Sequence, residues 1–139
     1  MKESAQAALS HLRSNAALFK IREDFFDSHD IHIHIPAGAV PKDGPSAGLT
    51  IAIALLSLLT KRPVKRDIAL TGELTLSGRI LPVGGVRGKI LAARRAGIKT
   101  VILPLRNEAD LKDIPANIIG DLNIVTADEI EKIVELVLR

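Results

Sequence analysis

The stretch AGLTIAIALLSLL, residues 47–59, constrains this chain more than any other. Wound into a helix it is apolar on almost every side, with only Thr50 and Ser57 interrupting. A helix without a polar face has to be enclosed by other elements. The run is too short to cross a bilayer. The chain must therefore supply layers around it. Proline is tolerated in a first helical turn because its missing N–H has no intrahelical partner there. The spacing thus predicts a central, buried helix from Pro45 to about Thr60.

The remaining elements follow from periodicity. Ala5, Ala8, Leu12, Ala16 and Phe19 recur every three or four residues, predicting a helix over Glu3 to Phe19. Ile31, Ile33 and Ile35 alternate with His32 and His34, predicting a strand with one apolar face. Pro36 to Pro45 contains three prolines and two glycines and reads as a loop. Asp67 to Leu74 and Gly78 to Val83 read as short strands paired as neighbours. A helix over Val86 to Ala96, stopped by Gly97, comes next. A strand over Thr100 to Leu103, a short helix over Asn107 to Lys112 and a strand over Asn123 to Val125 follow. Thr126 as N-cap with Glu129 as its capping-box partner predicts a last helix over Ala127 to Leu138. The order predicts one mixed α/β domain, α+β in class, with a small sheet packed by helices over residues 1–139.

Composition narrows the function. The three phenylalanines, Phe19, Phe25 and Phe26, are the only aromatic residues besides histidine, so base stacking on single-stranded nucleic acid is almost unavailable. Net charge is +3, and its densest cluster, Lys61-Arg62 with Lys65-Arg66, reads as a solvated turn. Without cysteine there is no disulfide, thiolate metal site or cysteine nucleophile. Met1 to Lys20 has no apolar core of the signal-peptide kind, so a cytoplasmic location with no membrane anchor is expected.

Ser46 opens the central helix within PKDGPSAG. As GPSAG it matches the G-x-S-x-G nucleophile elbow in letters. The context differs, because a Pro/Gly loop replaces the strand an elbow requires. An elbow also needs a later histidine, and His11, His29, His32 and His34 all precede Ser46. GVRGKI, residues 85–90, resembles a phosphate-binding P-loop, yet position 83 is Val and position 90 is Ile where Gly and Ser or Thr are needed. A helix start attracts anions in any case, so a phosphotransferase remains a competing reading. A serine nucleophile without histidine needs another base. Lysine can serve where burial or a neighbouring positive charge favours its neutral form. Lys89 shares a helix face with Val86, Ala92 and Ala93. Such a lysine either snorkels to solvent or acts as a base; Ser46 is either a helix-start hydroxyl or a nucleophile. Backbone N–H groups around Gly44, Pro45 and Ser46 could hold an oxyanion there.

PKDGPSAG, TGELTLSGRILPVGG and a lysine ahead of AARRAGIKTVILP, with IHIHIP upstream, together resemble the proteolytic domain of the Lon ATP-dependent proteases, of the bacterial and mitochondrial type. The resemblance covers nearly the whole chain. It implies the α+β fold of that family, sharing topology with GHMP-type small-molecule kinases. It implies a Ser46–Lys89 dyad, with Thr71 orienting the lysine by hydrogen bonding and Asp43 as a loop acid that gates the site. His32 and His34 correspond to the family's HxH strand and are read as structural or peripheral. Implied partners are unfolded protein or peptide substrates, an ATPase module and a homohexameric ring. Nucleic acid is not expected for this domain. The implied location is cytoplasmic, or the mitochondrial matrix in a eukaryote. No cofactor or metal is expected in this chain; ATP and Mg belong to the ATPase module, which is expected to lie outside it, as are upstream strands of the domain. Activity or inactivity of the isolated fragment stays open. One departure stands out: Gly88 precedes Lys89 where the family usually has Glu.

Overall fold

The elements are assembled around β4, whose five residues, Thr100–Pro104, have both faces buried. The computed structural model describes residues 1–40 and 44–139. In chain order the elements are α1 (Lys2–Ser14), α2 (Phe25–Ser28), α3 (Gly48–Thr60), β1 (Ile68–Leu70), β2 (Glu73–Leu74), β3 (Ile80–Leu81), α4 (Val86–Arg95), β4, α5 (Glu108–Leu111), α6 (Ala116–Ile119), β5 (Asn123–Ala127) and α7 (Val134–Val137). Single 3-10 turns lie at Pro45–Ala47, Leu105–Asn107 and Ile130–Lys132. The main sheet has the order β1-β4-β5, all parallel, while β2 and β3 form a separate antiparallel hairpin.

Alternation along β4 divides the core in two. Ile102 faces one apolar cluster, with Leu12, Leu49, Ile53 and Leu56 of α1 and α3. Val101 and Leu103 face the other, with Val86, Ile90 and Ala93 of α4. Successive strand residues point to opposite faces, so the sheet is packed by α1 and α3 on one side and α4 on the other. This is the mixed α+β architecture expected from the sequence. The apolar run is indeed central, with Leu49, Ala52, Ile53 and Leu56 at most 1% exposed.

Four expectations need correcting. First, α1 ends at Ser14, not Phe19: Asn15 is its C-cap, leaving helical geometry at φ −119° and ψ 28°, and its side-chain amide donates to the His11 carbonyl (2.9 Å). Ala16 and Phe19 stay buried beyond its end. Second, residues 31–35 form no strand, since no partner strand lies beside them among the described residues. Their alternation still has a consequence: Ile31, Ile33 and Ile35 line one groove of about 540 Å³ with Ala5, Leu9 and Ile51. His32 and His34 are exposed, and no metal-holding group of side chains occurs among the described residues.

Third, the stretch 67–74 is two strands, and β1 pairs with β4 while β2 alone pairs with β3. Fourth, the last predicted helix is mostly not helical. Ile80 N–H donates to Asp128 O (2.8 Å), Ile130 N–H donates to Gly78 O (3.0 Å), and Arg79 pairs with Glu129 (2.8 Å). These bonds stitch residues 128–130 to the hairpin and hold them out of a helix. Thr126 donates its hydroxyl to Glu108 (2.5 Å) instead of capping a helix.

The basic cluster is partly used inside the fold. Arg62 makes a paired contact to Glu135 (2.8 and 2.7 Å) and Lys65 donates to Leu136 O (2.6 Å). The Arg62 hydrogen bonds hold the Glu135 carboxyl below its ordinary range. No helix among the described residues is long and apolar enough to cross a membrane.

Candidate active site

Ser46 and Lys89 line the same cavity, of about 450 Å³. Three elements bring them there. Ser46 and Ala47 come from the 3-10 turn opening α3, and Thr50 from the first turn of α3 itself. Ala69, Leu70 and Thr71 come from the carboxyl end of β1. Lys89, Ala92 and Ala93 share one face of α4. Alanines dominate the α4 wall, so the lysine stem runs along small apolar side chains. Ser46 and Lys89 are each half-buried.

The serine turn is tied to the end of β1 by its backbone. Ser46 O accepts the N–H of Gly72 (3.0 Å) and the hydroxyl of Thr71 (3.3 Å). Leu49 N–H donates back to Gly72 O (3.0 Å), and Thr50 donates its hydroxyl to Leu70 O (3.0 Å). Thr71, itself buried, thus donates its hydroxyl to the serine's carbonyl. Thr71 also lines the cavity.

The glycines of GPSAG have different reasons. Gly44 has φ +106°, a backbone conformation that side chains disfavour. A Cβ at Gly48 would lie 2.9 Å from Leu74 N, so this glycine lets α3 pack against β2. The Leu49 N–H is committed to Gly72 O and the Gly48 N–H to Pro45 O. Pro45 has no N–H and shapes the turn without donating. Asp43 lies outside the described residues.

Lys89 is set by the start of α4. Gly85 is the N-cap with φ +69°, and its carbonyl accepts Lys89 N–H at 3.1 Å. Gly88 is exposed, and a Cβ there would meet nothing within 4 Å. Its φ is not positive. Gly88→Ala is therefore expected to stabilise the chain by about 0.5–1 kcal/mol through helix propensity and a less flexible unfolded state. Thermal or urea unfolding reads this directly, and a fall in stability would mean that position 88 is packed or strained after all.

Sequence reasoning missed Asn107. Its side chain is buried and bonds both the N–H and the carbonyl of Val83 (3.0 and 2.9 Å), just ahead of Gly84-Gly85. Periodicity could place it only at the start of a short helix, since the contact spans 24 residues.

The whole chain, residues 1–139, matches the family described as the Lon protease (S16) C-terminal proteolytic domain. It is 54% identical over 139 residues to a Lon protease of Geobacter metallireducens, covering 100% of this chain and 17% of that protein. It is 56% identical over 138 residues to a Lon protease of Syntrophus aciditrophicus, covering 99% of this chain and 18% of that protein. It is 51% identical over 139 residues to the Lon protease of Escherichia coli strain K12, covering 100% and 18% respectively. The chain thus spans under a fifth of the length of these relatives.

Proposed function

Because the chain belongs to the family of Lon protease (S16) C-terminal proteolytic domains, we propose that it is a serine endopeptidase domain working through a Ser46–Lys89 dyad. One observation carries this reading: a serine at a helix start and a lysine on an alanine-lined helix face open into one largely apolar cavity. Neutral Lys89 accepts the hydroxyl proton as Ser46 Oγ bonds to the peptide carbonyl carbon. The oxyanion that forms is held by N–H groups at the head of α3, where the helix dipole also favours negative charge. Lys89 then gives its proton to the leaving amine as the C–N bond breaks. Water, deprotonated by Lys89, hydrolyses the acyl-enzyme and frees Ser46. Thr71 acts from the serine side, fixing the turn through Ser46 O.

The substrates fitting this chemistry are extended, unfolded polypeptide segments. Energy-dependent delivery by an ATPase portion, with its ATP and Mg, a hexameric ring and a cytoplasmic or matrix location belong to the longer protein. They are expectations about that whole.

The direct test is to treat the chain with an alkyl fluorophosphonate and map the modified residue. Modification is expected at Ser46 alone and should vanish in Ser46→Ala. Modification elsewhere, or saturable nucleotide binding at this cavity, would defeat the reading.

A further inference from the structure

Lys89 is placed by a helix whose entry is two glycines, and something must fix that entry. Neither Gly84 nor Gly85 is packed where a side chain would project: a Cβ at either position would meet nothing within 4 Å. Consecutive glycines are also the most permissive backbone available. Past the glycines, α4 is held in the apolar core by Val86, its first residue, and by Ile90 and Ala93. These contacts resist lifting of the helix from the sheet. They do less to fix the path of the chain into its first turn.

We propose that Asn107 is a positioning residue for Lys89, acting by clamping the backbone at Val83. The amide of Asn107 meets Val83 as a neighbouring strand would. Its Oδ1 accepts Val83 N–H (3.0 Å) and its Nδ2 donates to Val83 O (2.9 Å). The second Nδ2 hydrogen goes to Asp110 Oδ2 (2.6 Å), which fixes the amide's orientation, since a flipped amide would face like with like at all three contacts. The side chain is 2% exposed, so water does not compete well for these bonds. Asn107 closes the 3-10 turn that leaves β4, the middle strand of the sheet. The clamp thus ties the glycine entry of α4 to the end of the central strand of the main sheet. From Val83 the path is short: Gly84, then Gly85, whose carbonyl accepts the Lys89 N–H.

This inference rests on the dyad reading, and its test separates the two. The maximal rate of Ser46 modification by an alkyl fluorophosphonate, and the half-saturating probe concentration, are measured for the parent chain, Lys89→Ala, Asn107→Ala and Val137→Ala. In the reaction Oγ–P forms, P–F breaks, fluoride leaves and Lys89 takes the hydroxyl proton. Asn107→Ala is expected to lower the maximal rate by about tenfold to a hundredfold, as misplacement of a reacting group does, with half-saturation within about twofold. Val137→Ala removes buried volume in the other core cluster. It should lose stability and keep the parent rate. If Asn107→Ala fails to fold, Asn107→Ser replaces it, keeping a hydroxyl for one of the groups the amide holds and placing no charge beside Asp110. A smaller fall in rate, about threefold to tenfold, is expected there. A parent-like maximal rate in the folded Asn107 variant, with Lys89→Ala inactive, overturns the clamp and leaves the dyad standing. A parent chain unmodified at Ser46, or one as reactive in Lys89→Ala, overturns both.

Discussion

Lys89→Met should leave the fold intact and reduce Ser46 reactivity by roughly 10²–10⁴-fold, the usual contribution of a positioned general base. Methionine keeps an unbranched apolar stem beside Ala92 and Ala93, so stability should change by less than about 1.5 kcal/mol. What is lost is the amine. Lys89→Arg sharpens the experiment. An arginine restores positive charge at the same position, yet its guanidinium stays protonated and cannot accept the serine proton. If the lysine only supplied charge to an oxyanion, Lys89→Arg would recover much of the rate. Under the dyad it should be as slow as Lys89→Met. Peptide turnover and the rate of Ser46 modification should fall together. Retention of either at the parent level in Lys89→Met would remove Lys89 from the chemistry.

This prediction was reachable from sequence because its two residues are written in local patterns. The face of α4 is legible as Val86, Lys89, Ala92, Ala93, and the head of α3 as a Pro/Gly loop before an apolar run. The cavity joining them arises because β1 leads directly into Thr71 and Gly72, which hold the serine turn. Parts of the fold that depend on distant partners were not legible. The end of the chain carries a good capping box, Thr126 with Glu129, and a good helical pattern. Local preference lost there to three backbone or ionic contacts from the β3 hairpin. Residues 31–35 show the converse, a strand pattern with no neighbouring strand among the described residues to complete it. Asn107 was silent because a side chain that imitates a strand edge has no sequence period.

His11 was equally silent in sequence, and it carries the largest stability prediction. The ring is 2% exposed between α1 and the turn that joins β2 to β3. Nε2 lies 3.0 Å from Glu131 Oε1 and Nδ1 lies 3.1 Å from Leu76 O. Glu131 Oε1 accepts from Nε2, and Nδ1 also lies 3.3 Å from the Asn15 Nδ2 amide. Phe19 meets the ring edge-on at 5.7 Å. Gly78, at φ +83°, lies so close that a Cβ would sit 2.6 Å from His11 Nε2. His11→Ala therefore empties a packed site and removes the ring's hydrogen bonds, the one to Glu131 among them. The expected loss is roughly 3–5 kcal/mol, read as a fall of about 10–20 °C in the unfolding midpoint. Gly78→Ala should also destabilise, by strain and by collision with the ring. The two should not add, because Gly78→Ala in the His11→Ala background loses the collision and keeps only the strain. A double-mutant cycle measures this coupling. Full additivity, or an unchanged midpoint in His11→Ala, would mean that the hairpin does not rest on the histidine.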